Sequence, residues 1–122
     1  FLPGSPYFLH SEEYPDAGPI LNAGVPIAIA TDFNPGSCPS MSMQFMISAA
    51  VIRLGLTAEE ALCAATINAA YACGLGESTG SIEAGKQADI LILEASSPWE
   101  IPYHFGTNLV KTVIAKGKVI IG

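Results

Sequence analysis

Val25-Pro26-Ile27-Ala28-Ile29-Ala30-Thr31-Asp32 is the stretch on which the reading of this chain turns. A near-continuous apolar run ends on a carboxylate. Phe33-Asn34-Pro35-Gly36-Ser37-Cys38-Pro39-Ser40, dense in turn formers, follows at once. A half-exposed strand would alternate apolar with polar residues, and Val25 to Thr31 does not. Such a run reads as a strand covered on both faces, the kind that belongs to parallel sheets. Downstream, a helix is expected from about Met41 to Leu54, carrying Phe45, Met46, Ala49, Ala50 and Ile52. Thr57-Ala58-Glu59-Glu60 starts another. Thr57 can cap an orphan amide while Glu60 reaches back to the Thr57 N–H, which also accounts for the adjacent carboxylates of Glu59 and Glu60. Thr66 restarts that helix and Gly74 stops it. Strand, loop, helix, helix is one unit of an α/β architecture.

Working outward, Phe1 to Pro15 mixes aromatics with Pro3, Gly4 and Pro6 and reads as a strand end followed by a loop. Asp16 to Ala23 has room for one or two helical turns, ended by Gly24. After Leu75 the texture changes. Gly76, Gly80 and Gly85 punctuate short segments, Ala88 to Leu93 reads as a strand, and Ser96 to Gly106 reads as a polar connection. Val110 to Ala115 and Lys118 to Ile121 flank Lys116-Gly117, a hairpin signal in which the lysines are most simply solubilising. A boundary falls near residues 76–80, with an all-β segment after it.

Half of the residues are hydrophobic and only 13% are charged, with a mean hydropathy of +0.42. A free-standing domain of this size needs more soluble side chains to cover its surface. With Phe1 standing in mid-pattern, the chain reads as part of something larger. The apolar runs fall well short of the ~20 residues a bilayer requires, so no membrane span is expected. No signal peptide is visible. Net charge is -6 with only five Lys and Arg, which argues against nucleic-acid binding. Cys38, Cys63 and Cys73 are odd in number and lack CxxC spacing. They read as free thiols in a reducing, cytoplasmic setting.

Asp32 is the residue to weigh for chemistry. It stands at the C-terminal end of a candidate parallel strand, the edge where α/β folds mount their catalytic groups. A carboxylate there can ligate a divalent metal and accept the proton of its bound water. It can equally cap the next turn through an Asx hydrogen bond. His10 and His104 read as loop histidines, and Cys38 alone is a weak candidate for a soft ligand.

Ala30 to Ser40, with its Asp-Phe-Asn-Pro-Gly-Ser string, resembles the last barrel strand and following loop of the imidazolonepropionases, a family of metal-dependent amidohydrolases. Thr57 to Leu62, Thr66 to Ala70, Gly80 to Ile90 and Leu109 to Ile120 resemble the late helices and the β-return of that superfamily, so the resemblance covers essentially the whole chain. It implies an α/β fold in which residues 1–77 are the C-terminal strand–helix units of a (β/α)8 TIM barrel. Residues 78–122 would be C-terminal strands of a small β-sandwich. It makes Asp32 the last metal ligand and proton shuttle. Asn34 and Gly36 match positions that contact the product, and Ser37 matches a hydroxyl position at the imidazolone ring where many relatives carry Thr. The resemblance further implies zinc or iron, a homodimer when full length, and hydrolysis of the ring amide of 4-imidazolone-5-propanoate to N-formimidoyl-glutamate. The His-x-His, the further His ligands and the basic residue for the substrate carboxylate that such enzymes carry are absent from this sequence, so the chain by itself is expected to be inactive. Two other readings stand beside it. One is a purine or pyrimidine aminohydrolase of the same fold, which Asn-Pro-Gly-Ser does not suggest. The other is a non-catalytic, stand-alone binding module.

Overall fold

The computed structural model describes all 122 residues. Six helices, α1 (Gly4–Phe8), α2 (Gly18–Asn22), α3 (Met43–Leu54), α4 (Ala58–Ala65), α5 (Ile67–Ala72) and α6 (Glu100–Tyr103), combine with three strands, β1 (Ile90–Leu93), β2 (Val110–Ala115) and β3 (Lys118–Ile121). The long helices have the ends their sequences call for. The Ser42 side chain accepts from the Phe45 amide at the start of α3, and Gly55, at φ 75°, lets the chain leave it. At α4 the capping box is complete. The Thr57 amide donates to the Glu60 carboxylate at 2.8 Å, and the Glu60 amide donates to Thr57 Oγ1 at 3.1 Å. Thr66, at φ -119° and ψ -94°, separates α4 from α5.

The core lies between these helices and the stretch from Val25 to Thr31. Ile27 and Ile29 are buried against Met46, Ile47, Ala50 and Leu54 of α3 and Ala61 and Ala64 of α4. Small residues on the inner face of α4 allow close approach, so that the Ile29 amide donates to the Ala64 carbonyl at 3.1 Å, and from α5 Asn68 Nδ2 donates to the Ile27 carbonyl at 2.8 Å. On its opposite edge this stretch makes one rung of a parallel ladder with the first residue. The Phe1 amine donates to the Ala28 carbonyl at 2.8 Å, and the Ala30 amide donates to the Phe1 carbonyl at 3.2 Å.

Burial here departs from the expectation of a strand covered on both faces. Ile27 and Ile29 are buried, but Val25 is half exposed and Ala30 is exposed. One face packs under α3 and α4, and the other, which carries Pro26, Ala28 and Ala30, is largely open. The segment is extended without being part of a named strand, because a single rung is its whole ladder.

Two helices stand where loops were expected. Within Phe1 to Pro15 the chain forms α1, and within Ser96 to Gly106 it forms α6, so the segment after residue 80 is not all β. Both were hidden by proline. Pro6 and Pro102 each occupy the third helical position, where the amide they lack has no intrahelical partner to lose. α6 packs on α3, with the buried Ser48 Oγ bridging the Gln44 and Ile101 carbonyls at 2.9 and 3.2 Å.

β1, β2 and β3 form an antiparallel sheet in that order. The Lys116-Gly117 hairpin forms as expected, both residues having positive φ (49° and 76°), as the twist of a two-residue hairpin requires. Asp89 accepts the Lys116 amide at 2.8 Å and so ties β1 to the turn.

Candidate active site

Asp32 ends the extended segment in a left-handed conformation, at φ 50°. That region is sparsely populated by residues with a Cβ, although Asp and Asn tolerate it better than most. Two contacts hold the backbone there: Asn34 Nδ2 donates to the Asp32 carbonyl at 2.6 Å, and the Phe33 amide donates to Thr31 Oγ1 at 3.2 Å. The side chain of Asp32 is exposed. Its Oδ2 accepts from Ser5 Oγ at 3.1 Å, and no protein group hydrogen-bonds its Oδ1.

The loop that follows is closed on itself. Asn34 and Cys38 exchange backbone hydrogen bonds as an isolated antiparallel bridge, at 2.9 and 3.3 Å. Inside it, Asn34 Oδ1 accepts the Gly36 and Ser37 amides at 2.8 and 2.7 Å, an Asx arrangement. Asn34 Nδ2 also reaches Ser37 Oγ at 2.9 Å. A Cβ at Gly36 would lie 3.2 Å from Asn34 Oδ1, so glycine there keeps the acceptor free of crowding. The Asn34 side chain is thus committed to the loop on both its donor and acceptor sides.

Sequence reasoning passed over Ser5, the hydroxyl that touches Asp32. It lies on α1, 27 residues away, and also stands 3.3 Å from Ser37 Oγ. Packing brings it there. Cys38 is fully buried beneath α1, and a Cβ at Gly4 would come within 2.6 Å of Cys38 Sγ and 2.7 Å of Met46 Cε. Only glycine lets the start of α1 settle so closely on the loop. Cys38 is therefore a core thiol, whereas Cys63 and Cys73 are exposed. The one sequence cue for Ser5 is its Pro3-Gly4 prefix at a strand end, which says that the backbone approaches something without saying what.

The histidines lie apart from this group. His10 follows α1 in a left-handed conformation, and His104 ends α6 with its ring edge-on to Tyr103. Nowhere do three His, Cys, Asp or Glu side chains gather as a metal-holding set. The donor chemistry of Asp32 fits one coordination place, a carboxylate with one oxygen free, and this chain offers nothing to complete the set. The titrating groups that are perturbed lie elsewhere and have local causes. The Ser96 hydroxyl holds Glu100 below the usual carboxylate range, and the hydrogen bond to Glu77 raises Tyr71.

The model of the amidohydrolase family matches residues 9–120. The chain belongs to the amidohydrolase family. Among curated amidohydrolase relatives, the imidazolonepropionases of Flavobacterium johnsoniae and Bacillus velezensis are 50% and 48% identical over 120 residues. That is 98% of this chain but 29% and 28% of theirs, so the chain spans less than a third of the relatives it matches. An adenosine deaminase from Xanthomonas campestris with bound zinc superimposes with a TM-score of 0.83 at 30% identity, over 98% of this chain and 31% of that one. Helicobacter pylori aminofutalosine deaminase, in complex with methylthio-coformycin, gives 0.77 at 26%, over 98% of this chain and 31% of its own.

Proposed function

We propose that this chain is the C-terminal part of an imidazolonepropionase, an amidohydrolase that opens the ring amide of 4-imidazolone-5-propanoate to give N-formimidoyl-glutamate. In that reading residues 1–77 complete a (β/α)8 barrel and residues 78–122 join a composite β-sandwich. The rung between Phe1 and Ala28–Ala30 is then a remnant of contact between neighbouring barrel strands. The choice of substrate rests on the relatives. The imidazolonepropionase of Flavobacterium johnsoniae is 50% identical to this chain, whereas the Xanthomonas campestris adenosine deaminase is 30% identical. The non-catalytic module has no observation in its favour.

The observation that carries the reading is Asp32, held in a strained left-handed conformation with one carboxylate oxygen bonded and the other free. Strain of this kind is retained where a side chain must point somewhere particular. Asp32 accepts the proton of the attacking water and returns it to the leaving ring nitrogen. A zinc or iron ion held by Asp32 and by donors outside this chain would, when bound, lower the pKa of water and polarise the ring carbonyl. Asn34, Gly36 and Ser37 form the substrate loop, with the Ser37 hydroxyl toward the imidazolone ring. Asn34 acts largely by holding the Gly36 and Ser37 amides in place. The substrate's carboxylate needs a cation, and no Lys or Arg of this chain pairs near the loop: the ion pairs are Lys86–Glu83 and Lys111–Glu94. A basic residue from elsewhere in the protein supplies it. A cytoplasmic homodimer is part of the same proposal.

The test is Asp32→Asn in the full-length protein, assayed with 4-imidazolone-5-propanoate. The variant keeps the side chain's shape and loses its charge and basicity, so turnover should fall by orders of magnitude. Turnover within about tenfold of wild type, ~1.4 kcal/mol in barrier, reduces Asp32 to a turn residue and removes the proposal.

A further inference from the structure

The hydroxyl of Ser5 has one proton and two neighbours, and the chemistry of those neighbours decides where it goes. Ser5 Oγ donates to Asp32 Oδ2 across 3.1 Å. Ser5 can then only accept across the 3.3 Å to Ser37 Oγ, which makes Ser37 the donor there. Ser37 could instead turn its proton to Asn34 Oδ1, also 3.3 Å away, but that oxygen already takes two backbone amides at 2.8 and 2.7 Å. Ser37 in turn accepts from Asn34 Nδ2 at 2.9 Å. The result is a one-way relay: Asn34 amide to Ser37 hydroxyl, Ser37 to Ser5, Ser5 to the carboxylate. Each member polarises the next.

We infer that Ser5 is a positioning residue that fixes the Asp32 carboxylate through Oδ2, leaves Oδ1 for the reacting groups, and couples that carboxylate to the Ser37 substrate loop. The inference rests on the functional reading of Asp32 given above and adds a residue from a separate element to it. Gly4 supports it independently. The buried contact of Gly4 with Cys38 and Met46 has no room for a Cβ, and it sets the height of α1 at which Ser5 reaches Asp32. An exposed carboxylate without such a partner would rotate about its χ angles. Outer-shell partners of this type typically change metal affinity or activity by 10- to 100-fold when removed.

The experiment compares Ser5→Ala, Ser5→Thr and Asp32→Asn in the full-length protein. It reads kcat and KM for 4-imidazolone-5-propanoate, and zinc retained against a competing chelator. Thermal melts verify folding. Ser5→Ala should lower kcat by about 10- to 100-fold with a smaller change in KM, and should release zinc more readily. Ser5→Thr keeps the hydroxyl and should recover to within about threefold of wild type, which a merely space-filling role for Ser5 would not require. Should Ser5→Ala not fold, Ser5→Gly, which removes the same hydroxyl without adding a donor or a metal ligand, carries the same comparison. If Asp32→Asn is inactive while the folded Ser5 variant keeps wild-type kcat and zinc retention, Ser5 does not position the carboxylate and the inference falls alone. Loss in Ser5→Thr equal to that in Ser5→Ala overturns it too. If Asp32→Asn is itself active, the functional reading fails and takes the inference with it.

Discussion

The Asn34 side chain braces the loop that follows Asp32. It donates to the Asp32 carbonyl and to Ser37 Oγ and accepts the Gly36 and Ser37 amides. Asn34→Ala removes all of these, and kcat/KM in the full-length protein should drop by about 10- to 100-fold, the scale of ~1.5–3 kcal/mol. Asn34→Asp keeps the acceptor and loses both donors, and it sets a second negative charge beside Asp32. It should hold the turn better than alanine does and still lose activity at neutral pH. Wild-type kinetics in either variant would show that the loop does not depend on this side chain. Gly4 makes a separate prediction. With Cys38 Sγ at 2.6 Å and Met46 Cε at 2.7 Å from an added Cβ, Gly4→Ala should destabilise the protein by about 1–3 kcal/mol in chemical denaturation. An unchanged midpoint would mean that α1 shifts at no cost.

At the scale of elements, α4 depends on its start. Ala58, Ala61 and Ala64 supply little side-chain area to bury, so end effects weigh more than in α3. Thr57→Ala breaks the reciprocal Thr57–Glu60 cap and should cost about 1 kcal/mol, read by urea denaturation. The sheet has a pH-sensitive tie. The Lys116 amide, then Gln87, hold Asp89 below its ordinary value, so the folded state favours the ionised form. Its contribution is therefore complete above the unfolded value of about 4 and is lost as pH falls through the lowered folded value. Amide exchange in the 110–121 hairpin should accelerate in that acid window, and Asp89→Asn should remove the pH dependence. A hairpin equally protected on both sides of the window would contradict this. The two elements that proline concealed, α1 and α6, show why composition misleads in short segments. A proline within the first helical turn is compatible with helix, yet it looks the same on the page as a proline in a loop.

For the whole molecule, surface is the deciding quantity. A compact monomer of this mass exposes about 6,200 Å², whereas this chain exposes 7495 Å² and buries only 20 of its 122 residues. Much of the excess is apolar. Val25, Leu91, Ile92, Val119, Ile120 and Ile121 are all about half exposed or more, and the edge of the Val25–Thr31 segment is closed by a single rung. Patches and edges of this kind pair with whatever is offered. The chain produced alone should associate or aggregate, should not hold metal tightly, and should not hydrolyse imidazolonepropionate. Sedimentation, calorimetry and metal analysis after dialysis check this. A monodisperse monomer with cooperative unfolding, or stoichiometric zinc, would show that it is a self-sufficient module.

The sequence by itself determined what is local. The ends of α3 and α4, the break at Thr66, the Lys116-Gly117 hairpin and the turn after Asp32 all follow from residues within a few positions of one another, where capping and φ preferences act. It also carried the family resemblance, because the string from Ala30 to Ser40 is legible in consecutive residues. Tertiary structure alone decided which face of Val25–Thr31 is buried, because an apolar run does not say which of its sides has a neighbour. It alone seated Cys38 under Gly4 and brought Ser5 to Asp32. A contact spanning 27 residues depends on the close packing of α1 on Cys38 and Met46, and no local preference encodes that distance.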